Sequence, residues 1–370
     1  MRIGVGSVGL ATPLGLGLAA TMEGWRAGRS GLVDNDRWPT RWFLRADAGL
    51  VPGFNPRKQL PDRKAVKLMS RESQLGLWAA VEAAGPRGPD RFDVAADRFA
   101  GFAAAGYEVS SLDESEEMLA LSRDPQAPGR VALDLLFGPG RDAYNPMAPL
   151  KILPNMALFH AASTLDLQGP HLSLGSSPAT GLAAAIEACD ALSFDEADAV
   201  LVLGTDANAE VFRAHQLVEG GVAEHLAPAE GAAALVLRQA VDGDPILLGH
   251  AQAQEPPAGP EPRQHYGQIS DSRARAALHR AALERAGLRT VDLILADLWG
   301  DPARDALVMK GLPDAPVASS RTRFGWLGAA AGTVDLAIAC ELVRSGEVGS
   351  VLVSAAGLAG DLACVIVGAP

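Results

Sequence analysis

The order of predicted elements repeats within this chain. From Thr180 the sequence reads TGLAAAIEACDALSFDEADAVLVLGTDA and later EGAAALVLR, which is a helix of small residues, an acidic turn and two apolar strands. The same order recurs near the end as GTVDLAIACELVRSGEVGSVLVSAAGLAGDLACVIVG. A repeat of this kind predicts an internally duplicated α/β protein. Alanines on more than one face of each helix suit a helical layer that is buried between two sheets.

The remaining apolar runs fit the same plan. MRIGVGSVGL and RFAGFAAAG are predicted buried strands of the first half, and PILLGHAQA and VDLILADLWG take comparable places in the second. RESQLGLWAAVEAAG and SRARAALHRAALERAG are predicted amphipathic helices that end at glycine. We therefore divide the chain into halves 1–240 and 241–370 that pack as one unit, with the Pro-rich stretch 254–264 as a surface loop.

Composition excludes several classes of function. The net charge of −12 argues against nucleic acid or an anionic membrane surface as a partner, although a local basic patch is compatible with this total. Cys189, Cys340 and Cys364 form no CxxC pair. Neither a disulfide framework nor a zinc site is therefore indicated, and a reducing cytoplasm fits. The seven histidines show no metal-ligand spacing, so no metal and no other cofactor is predicted.

Three features of the first half resemble functional signals but have simpler interpretations. Residues 3–22 carry no charge, yet glycines and Pro13 interrupt them, so we predict a strand, a turn and a helix rather than a signal peptide or a membrane span. GVGSVG matches GxGxxG by letter, but only three residues precede it and no helix start follows, which excludes a dinucleotide site. His160 lies on an apolar helix and is predicted to be a core residue.

The stretch GPHLSLGSSPATGLAAAIEACDAL, residues 169–192, predicts a sharp turn from a strand into a helix. Ser177 is the predicted N-cap and Pro178 the first helical residue. Backbone N–H groups and the positive end of the helix dipole collect at such a start, and they favour a thiolate or an oxyanion. Proline has no N–H, so one donor is missing here.

The chain resembles the β-ketoacyl synthases of the thiolase superfamily, which condense acyl chains on acyl carrier protein. VGSVGLATPLGLGLAATMEGWRAGRSGL is similar to the family's opening strand, turn and helix, and LPNMALFHAASTLDLQGPHLSL to the approach to the nucleophile. EGAAALVLR and GWLGAAAG match further family segments in the same order. The resemblance implies a thiolase-like α/β fold, with two pseudo-duplicated halves in an α/β/α/β/α arrangement of layers.

The family's chemistry uses one cysteine and two histidines, and the resemblance implies that none is intact here. Pro178 occupies the cysteine position. Asp297, in ADLWGDPARD, stands at the first histidine of AHGTGTPLGD, and Trp326, in RTRFGWLGAAAG, at the second histidine of KSNIGHLEAAAG. Arg321 replaces the family's lysine with a charge that cannot exchange its proton near neutral pH. The GFGG turn that gates the family pocket is GLAG, with Leu358 at the gate.

Other residues of the former pocket have open alternatives. Ser177, Asp297 or Glu230 could serve a repurposed reaction, but a serine needs a positioned base. Our main interpretation is that Ser177 caps the helix and that Asp297 is a polar residue paired with Arg304 or Arg321. Trp299 either fills the pocket together with Trp326 or lines a narrowed acyl tunnel. We favour filling, because large aromatic side chains consume volume.

Catalytically degenerate members of the family, called chain-length factors, pair with an active ketosynthase and shape its acyl tunnel. The resemblance therefore implies a non-catalytic subunit of a heterodimer in type II polyketide or specialised fatty-acid biosynthesis, with acyl carrier protein as an indirect partner. The region 107–119 would border the partner's pocket. Two departures are that chain-length factors commonly carry glutamine where Pro178 stands and that this chain is short. The alternatives are a homodimeric binding or scaffold protein and a repurposed acyl hydrolase or decarboxylase.

Overall fold

The computed structural model describes residues 1–35, 45–107, 112–175, 177–255 and 272–370. The strands are β1 (Ile3–Thr12), β2 (Gly15–Leu16), β3 (Leu32–Asp34), β4 (Asp47–Gly49), β5 (Phe99–Ala105), β6 (His171–Leu174), β7 (Ala199–Ala207), β8 (Glu230–Gln239), β9 (Ile246–Gln254), β10 (Leu293–Leu295), β11 (Val317–Ala318), β12 (Ser350–Ala356) and β13 (Asp361–Gly368). Most of the predicted surface loop 254–264, and part of the predicted wall 107–119, lie outside the described residues.

The helices connect these strands and cover the sheet. They are α1 (Leu18–Arg26), α2 (Pro56–Gln59), α3 (Arg71–Ala84), α4 (Leu112–Leu121), α5 (Leu133–Leu135), α6 (Arg141–Ala143), α7 (Ala148–Lys151), α8 (Met156–Leu165), α9 (Thr180–Ser193), α10 (Val211–Glu219), α11 (Arg273–Ala286), α12 (Pro302–Lys310), α13 (Arg321–Phe324) and α14 (Ala331–Arg344). As predicted, α3 and α11 end at Gly85 and Gly287, whose positive φ angles of 74° and 67° suit glycine.

The sheet repeats one strand order. In the first half the order is β1, β8, β7, β5, β6, and in the second it is β9, β13, β12, β10, β11. Each set combines two antiparallel neighbours with parallel ones: β7 runs antiparallel to β8 and parallel to β5, and β12 runs antiparallel to β13 and parallel to β10. β1 and β9 join the two sets through Gly4 and Ile246. The predicted duplication is therefore present in the sheet topology.

The buried side chains form layers. One core lies between the two sets of strands and contains the inward residues of β7 and β12 together with α9 and α14. The outward residues of β7, such as Leu201, pack against α3 and α8, and those of β12, such as Leu352, pack against α11. Because helices cover both faces of these strands, the strand sequences are continuous apolar runs rather than alternating patterns. The order of layers is α/β/α/β/α, which confirms the predicted fold class.

Small residues allow the central layer to pack closely. Gly181 on α9 and Gly204 on β7 both meet Thr333 on α14, and a Cβ atom at either glycine would overlap the Thr333 hydroxyl. Close approach of this kind explains why the central helices are built of alanine and glycine. The division of the chain at residue 240 stays a prediction; it falls between β8 and β9.

The structure also decides the smaller predictions of the first half. The uncharged stretch 3–22 forms β1, β2 and the start of α1, as predicted. GVGSVG lies inside β1 and pairs with β8, so it cannot wrap a phosphate group. His160 is buried on α8, and burial lowers the pKa of its imidazole. Within the described ranges, no helix is long and apolar enough to cross a membrane.

Candidate functional site

The turn that leads into α9 is held by Ser177. Its Oγ accepts a hydrogen bond from the Ala179 N–H (3.1 Å), and its own N–H donates to the Thr180 hydroxyl (3.0 Å). The Thr180 N–H donates to the Ser177 carbonyl (3.0 Å). The predicted N-cap was therefore placed too early: α9 begins at Thr180, and Ala179 is the cap residue. Ser177 and Pro178 form a tight turn ahead of the helix instead.

Ser177 also joins this turn to the end of the chain. Its hydroxyl donates to the carboxylate of Asp361, the first residue of β13. Asp361 follows the Gly357–Gly360 turn, which is closed by hydrogen bonds from the Gly357 N–H to the Asp361 carbonyl (2.8 Å) and from the Gln254 amide to the Ala359 carbonyl (2.7 Å). Sequence analysis missed Asp361. The available signal was its position directly after the GLAG turn.

An open cleft of about 760 Å³ lies in front of this turn. Ser177, Pro178, Trp326 and Leu358 line it, and so does Asp361. The structure thus brings together the residues that sequence analysis assigned to the cysteine position, the second histidine position and the gate. These residues come from both halves of the chain, as the duplicated fold requires for a site between them.

Asp206 is a second acid of the cleft that sequence analysis missed. It lies near the end of β7 and accepts hydrogen bonds from the Ala207 and Ala329 N–H groups, each at 2.9 Å. Burial raises the pKa of its carboxyl group, although Arg213, 3.9 Å away, opposes that shift. Asp206 therefore ties β7 to the turn before α14.

Asp297 lies behind the cleft in a fully paired state. Arg304 donates to both its carbonyl and its Oδ2 atom (2.9 Å each), Trp299 Nε1 donates to Oδ1 (3.0 Å), and Arg321 forms an ion pair at 2.8 Å. The structure forms both of the arginine pairs that the sequence left as alternatives. Burial alone would raise the pKa of Asp297, but Arg321 and Arg304 outweigh it and hold the pKa below its usual range.

Trp299 and Trp326 fill the space between Asp297 and the cleft. Their rings pack edge to face with centroids 5.4 Å apart, and they are only 5% and 3% exposed. The guanidinium of Arg304 lies 3.9 Å from the Trp299 ring centroid, and that of Arg321 lies 5.3 Å from the Trp326 ring centroid. Hydrogen bonds to Ala227 and from Ala229 fix the backbone of Trp326. The tryptophans therefore fill the interior, as we favoured, and the cleft ends at Trp326.

Glu230 does not reach the cleft. Its carboxylate accepts the Val51 N–H (3.0 Å) and two hydrogen bonds from the Arg71 guanidinium (3.0 and 2.6 Å). Glu230 begins β8 and is buried, so this pairing anchors the strand to α3. The family motif placed Glu230 among the pocket residues. Its contacts with Val51 and Arg71 instead give it a structural role.

The described residues show no metal centre. No group of three or more His, Cys, Asp or Glu side chains within them is arranged to hold a metal ion. Cys189, Cys340 and Cys364 are buried and unpaired, and burial raises the pKa of each thiol to about 12. None of them can supply a thiolate near neutral pH.

Comparison with known proteins identifies the family. The model of the β-ketoacyl synthase N-terminal domain matches residues 1–242. This chain belongs to the β-ketoacyl synthase family. It is 24% identical over 213 residues to 3-oxoacyl-[acyl-carrier-protein] synthase 2 of Vibrio cholerae, and 25% identical over 206 residues to the enzyme of that name from Staphylococcus aureus. These matches include 55% and 56% of this chain but only 45% and 46% of the relatives, so they span about half of each relative.

Solved structures match the whole chain. The ishigamide ketosynthase/chain length factor superposes with a TM-score of 0.75 at 19% identity, and a β-ketoacyl synthase from Burkholderia phymatum with 0.74 at 17%. A type II polyketide synthase acyl-carrier protein in complex with its ketosynthase gives 0.69 at 18%. All three matches cover 100% of this chain and 99% of the other. At these identities the match establishes the thiolase-like fold of the ketosynthases.

Proposed function

We propose that this β-ketoacyl synthase family member is a non-catalytic subunit that pairs with an active ketosynthase, in the manner of a chain-length factor, in type II polyketide or specialised fatty-acid synthesis. The observation that carries the proposal is the interior behind the cleft. The positions that correspond to the family's two histidines hold Asp297, fixed by two arginines, and Trp326, packed on Trp299.

Neither residue can do the work of a histidine. The Asp297 carboxylate is bound by the Trp299 indole, Arg304 and Arg321, which are donors or cations, so it is engaged in pairing and is not placed to transfer a proton to a substrate. The Trp326 indole does not exchange a proton near neutral pH. At residue 178, proline supplies neither a nucleophile nor an N–H for an oxyanion. At these three positions, decarboxylation and carbon–carbon bond formation therefore lack the acid, base and nucleophile that the family uses.

The surface offers a place for a partner. In the described part of the chain, β6 pairs with β5 and leaves its other edge open. Large apolar side chains are exposed along the neighbouring residues 121–159: Leu121, Val131, Leu133, Phe137, Met147, Leu150, Leu153 and Phe159. An open strand edge and several exposed large apolar side chains are features of a surface that another subunit covers. Family dimers join strands across a two-fold axis. We propose that the open edge of β6 and the exposed apolar residues of 121–159 form the corresponding dimer surface.

The test is co-expression with a candidate active ketosynthase and its acyl carrier protein. We expect the two chains to copurify as a heterodimer, and we expect the product chain length to differ from that of the ketosynthase alone. Phe137→Asp should weaken the pairing about 30-fold or more, as expected for an interface anchor. Phe194→Asp is the matched control, because Phe194 is similarly exposed (74% against 68%) but lies outside residues 121–159.

The same experiment separates the second candidate, a homodimeric binding or scaffold protein with no carrier-protein role. The tryptophan pair favours that candidate, because it closes the interior against an acyl chain. A chain that purifies only as a homodimer and never alters the ketosynthase product would contradict the subunit proposal. In that case Phe137→Asp should give monomers, which size-exclusion chromatography with light scattering would detect.

A further inference from the structure

One pair of groups in the cleft has a chemistry that the subunit role does not use. The Ser177 hydroxyl donates a hydrogen bond to the Asp361 carboxylate, and both residues line the open cleft. A serine whose proton is directed at a carboxylate base is arranged as a nucleophile. The base, Asp361, lies 184 residues from Ser177 in the sequence. The motif around Ser177 therefore contains no partner for the serine.

We propose that Ser177 accepts an acyl group from a thioester, with Asp361 as its general base. The Ser177 Oγ attacks the thioester carbonyl, and a bond from oxygen to carbon forms as the bond from carbon to sulfur breaks. The hydroxyl proton passes to the Asp361 carboxylate and then to the departing thiolate. The products are an ester on Ser177 and a free thiol, so the transfer needs no oxidant and no cofactor. The site acts independently of subunit pairing.

The cleft supplies surroundings for both ends of such a substrate. Leu358 and Ala359 line the cleft, and their backbone N–H groups donate to no acceptor in the part of the chain that the structure describes. They are free to stabilise the carbonyl oxygen, a role that the missing N–H of Pro178 cannot play. Leu217, Val222 and Trp326 form an apolar wall for the acyl chain. Because Trp326 closes the interior, a short acyl group fits this cleft better than a long one.

The cysteine thiols of this chain do not compete with Ser177 as nucleophiles. The thiols of Cys189, Cys340 and Cys364 are buried, with pKa values raised to about 12. An acyl group that appears on the folded protein near neutral pH therefore does not arise from these cysteines. Peptide mapping is still needed to separate an ester on Ser177 from an acyl group on a lysine or on the N-terminal amine.

The experiment incubates the purified full chain with the hexanoyl thioester of N-acetylcysteamine and follows intact mass, with peptide mapping of the labelled protein. We expect one acyl group per chain, on Ser177, and none in Ser177→Ala. Asp361→Asn keeps the size of the side chain and removes the base, so labelling should slow about 100-fold or more. Ser173→Ala, at an exposed serine of β6, is the matched control and should label like the unmodified chain.

Three results would overturn the proposal: no acyl mass on the unmodified chain, an acyl group mapped to another residue, or an unchanged rate in Asp361→Asn. Peptide mapping of the unmodified chain tests the site even if a variant fails to fold. Ser177→Ala in complex with the ketosynthase separates this proposal from the subunit role. If that variant still changes the product chain length, the subunit role holds whether or not Ser177 is acylated.

Discussion

The mouth of the cleft and the interior behind it depart from the ketosynthase family in different ways. At the mouth, the changes lie in two turns: by the family resemblance, Pro178 stands at the cysteine position and Leu358 at the gate, while Ser177 and Asp361 still place polar groups on open space. In the interior, the change is a set of residues that depend on one another. Asp297 holds two arginines and a tryptophan indole, and each of those groups packs against another.

Under the proposed subunit role, this difference indicates which region accounts for the loss of condensation chemistry. A turn residue makes few interactions, so the mouth can change one position at a time. A buried ion pair penalises the removal of either partner, because the remaining charge is left without compensation. Return of a histidine at residue 297 would remove the carboxylate that Arg304 and Arg321 share, and return of one at residue 326 would leave a gap beside Trp299. Under the proposed subunit role, the interior is therefore the region in which single substitutions are least able to restore catalysis.

The largest effect should follow removal of the centre of the interior network. Asp297→Ala leaves the buried guanidinium groups of Arg304 and Arg321 without their carboxylate. We expect the free energy of unfolding to fall by about 3–5 kcal/mol, the usual cost of breaking a buried ion pair. Urea unfolding followed by tryptophan fluorescence measures it, since Trp299 and Trp326 lie on the network.

Asp142→Ala is the matched control for that prediction. Asp142 pairs with Arg141 at 3.0 Å, but both side chains are about 70% exposed, as an ordinary surface pair is. Its removal should change the free energy of unfolding by less than about 1 kcal/mol. If Asp297→Ala were as mild as the control, the interior would not be a coupled network, and its contrast with the mouth would disappear.

The sequence predicted most of the fold and only part of the site, for a physical reason. Strands, helices and the duplication follow from local hydrophobic periodicity, so β1, α3, α11 and the repeated order were all accessible. The pairing of Asp297 with Arg304 was accessible because the two residues lie seven positions apart on one turn and helix start. Partners brought together only by the tertiary fold carry no local signal.

Asp361 and Asp206 show this limit, because each meets its contacts across large separations in sequence. Asp361 binds Ser177, and Asp206 accepts the Ala329 N–H, which is 123 residues away. Glu230 shows the converse. Its family motif placed it near chemistry, while Arg71, 159 residues away, uses it as an anchor. Sequence motifs thus predicted candidate site residues, but only the tertiary structure determined which of those residues line the cleft.

Acid tests a second buried polar group in the second half of the chain. His279, on α11, is buried with Gly311 O and Ser354 Oγ each 2.8 Å from a ring nitrogen. Burial lowers the pKa of its imidazole to about 4, from 6.5 in an unfolded chain. The folded state thus favours the neutral ring. This stabilisation is complete above pH 6.5 and is lost progressively as pH falls from 6.5 to 4, by about 3 kcal/mol in all.

His279→Gln should flatten that part of the dependence of unfolding free energy on pH. The measurement is the difference between the two proteins in urea unfolding at about pH 7.5 and about pH 4.5, because Asp335 acts in the opposite direction: burial raises the pKa of its carboxyl group to about 6. His215→Gln, at a histidine whose side chain is 59% exposed, is the control and should keep the original dependence. An equal pH dependence in His279→Gln and the unmodified chain would refute this assignment.

The smallest effect should come from the most conspicuous residue. Pro178→Cys restores both a thiol and a backbone N–H at the turn before α9, and its effect on the free energy of unfolding should stay below about 1 kcal/mol, because a turn residue is exchanged without opening a cavity. Iodoacetamide should label the new thiol, while Cys189, Cys340 and Cys364 stay unlabelled in the folded protein.

Condensation should nevertheless remain undetectable in Pro178→Cys, assayed with an acyl thioester and malonyl carrier protein. The new thiol would face Trp326, and the interior would still lack a proton donor for decarboxylation and a donor for the enolate. If the Pro178→Cys variant catalysed condensation, the residues at the mouth of the cleft alone would have prevented the reaction. A thiol that reacts with iodoacetamide but supports no condensation would instead locate the loss in the coupled interior, where one substitution cannot reverse it.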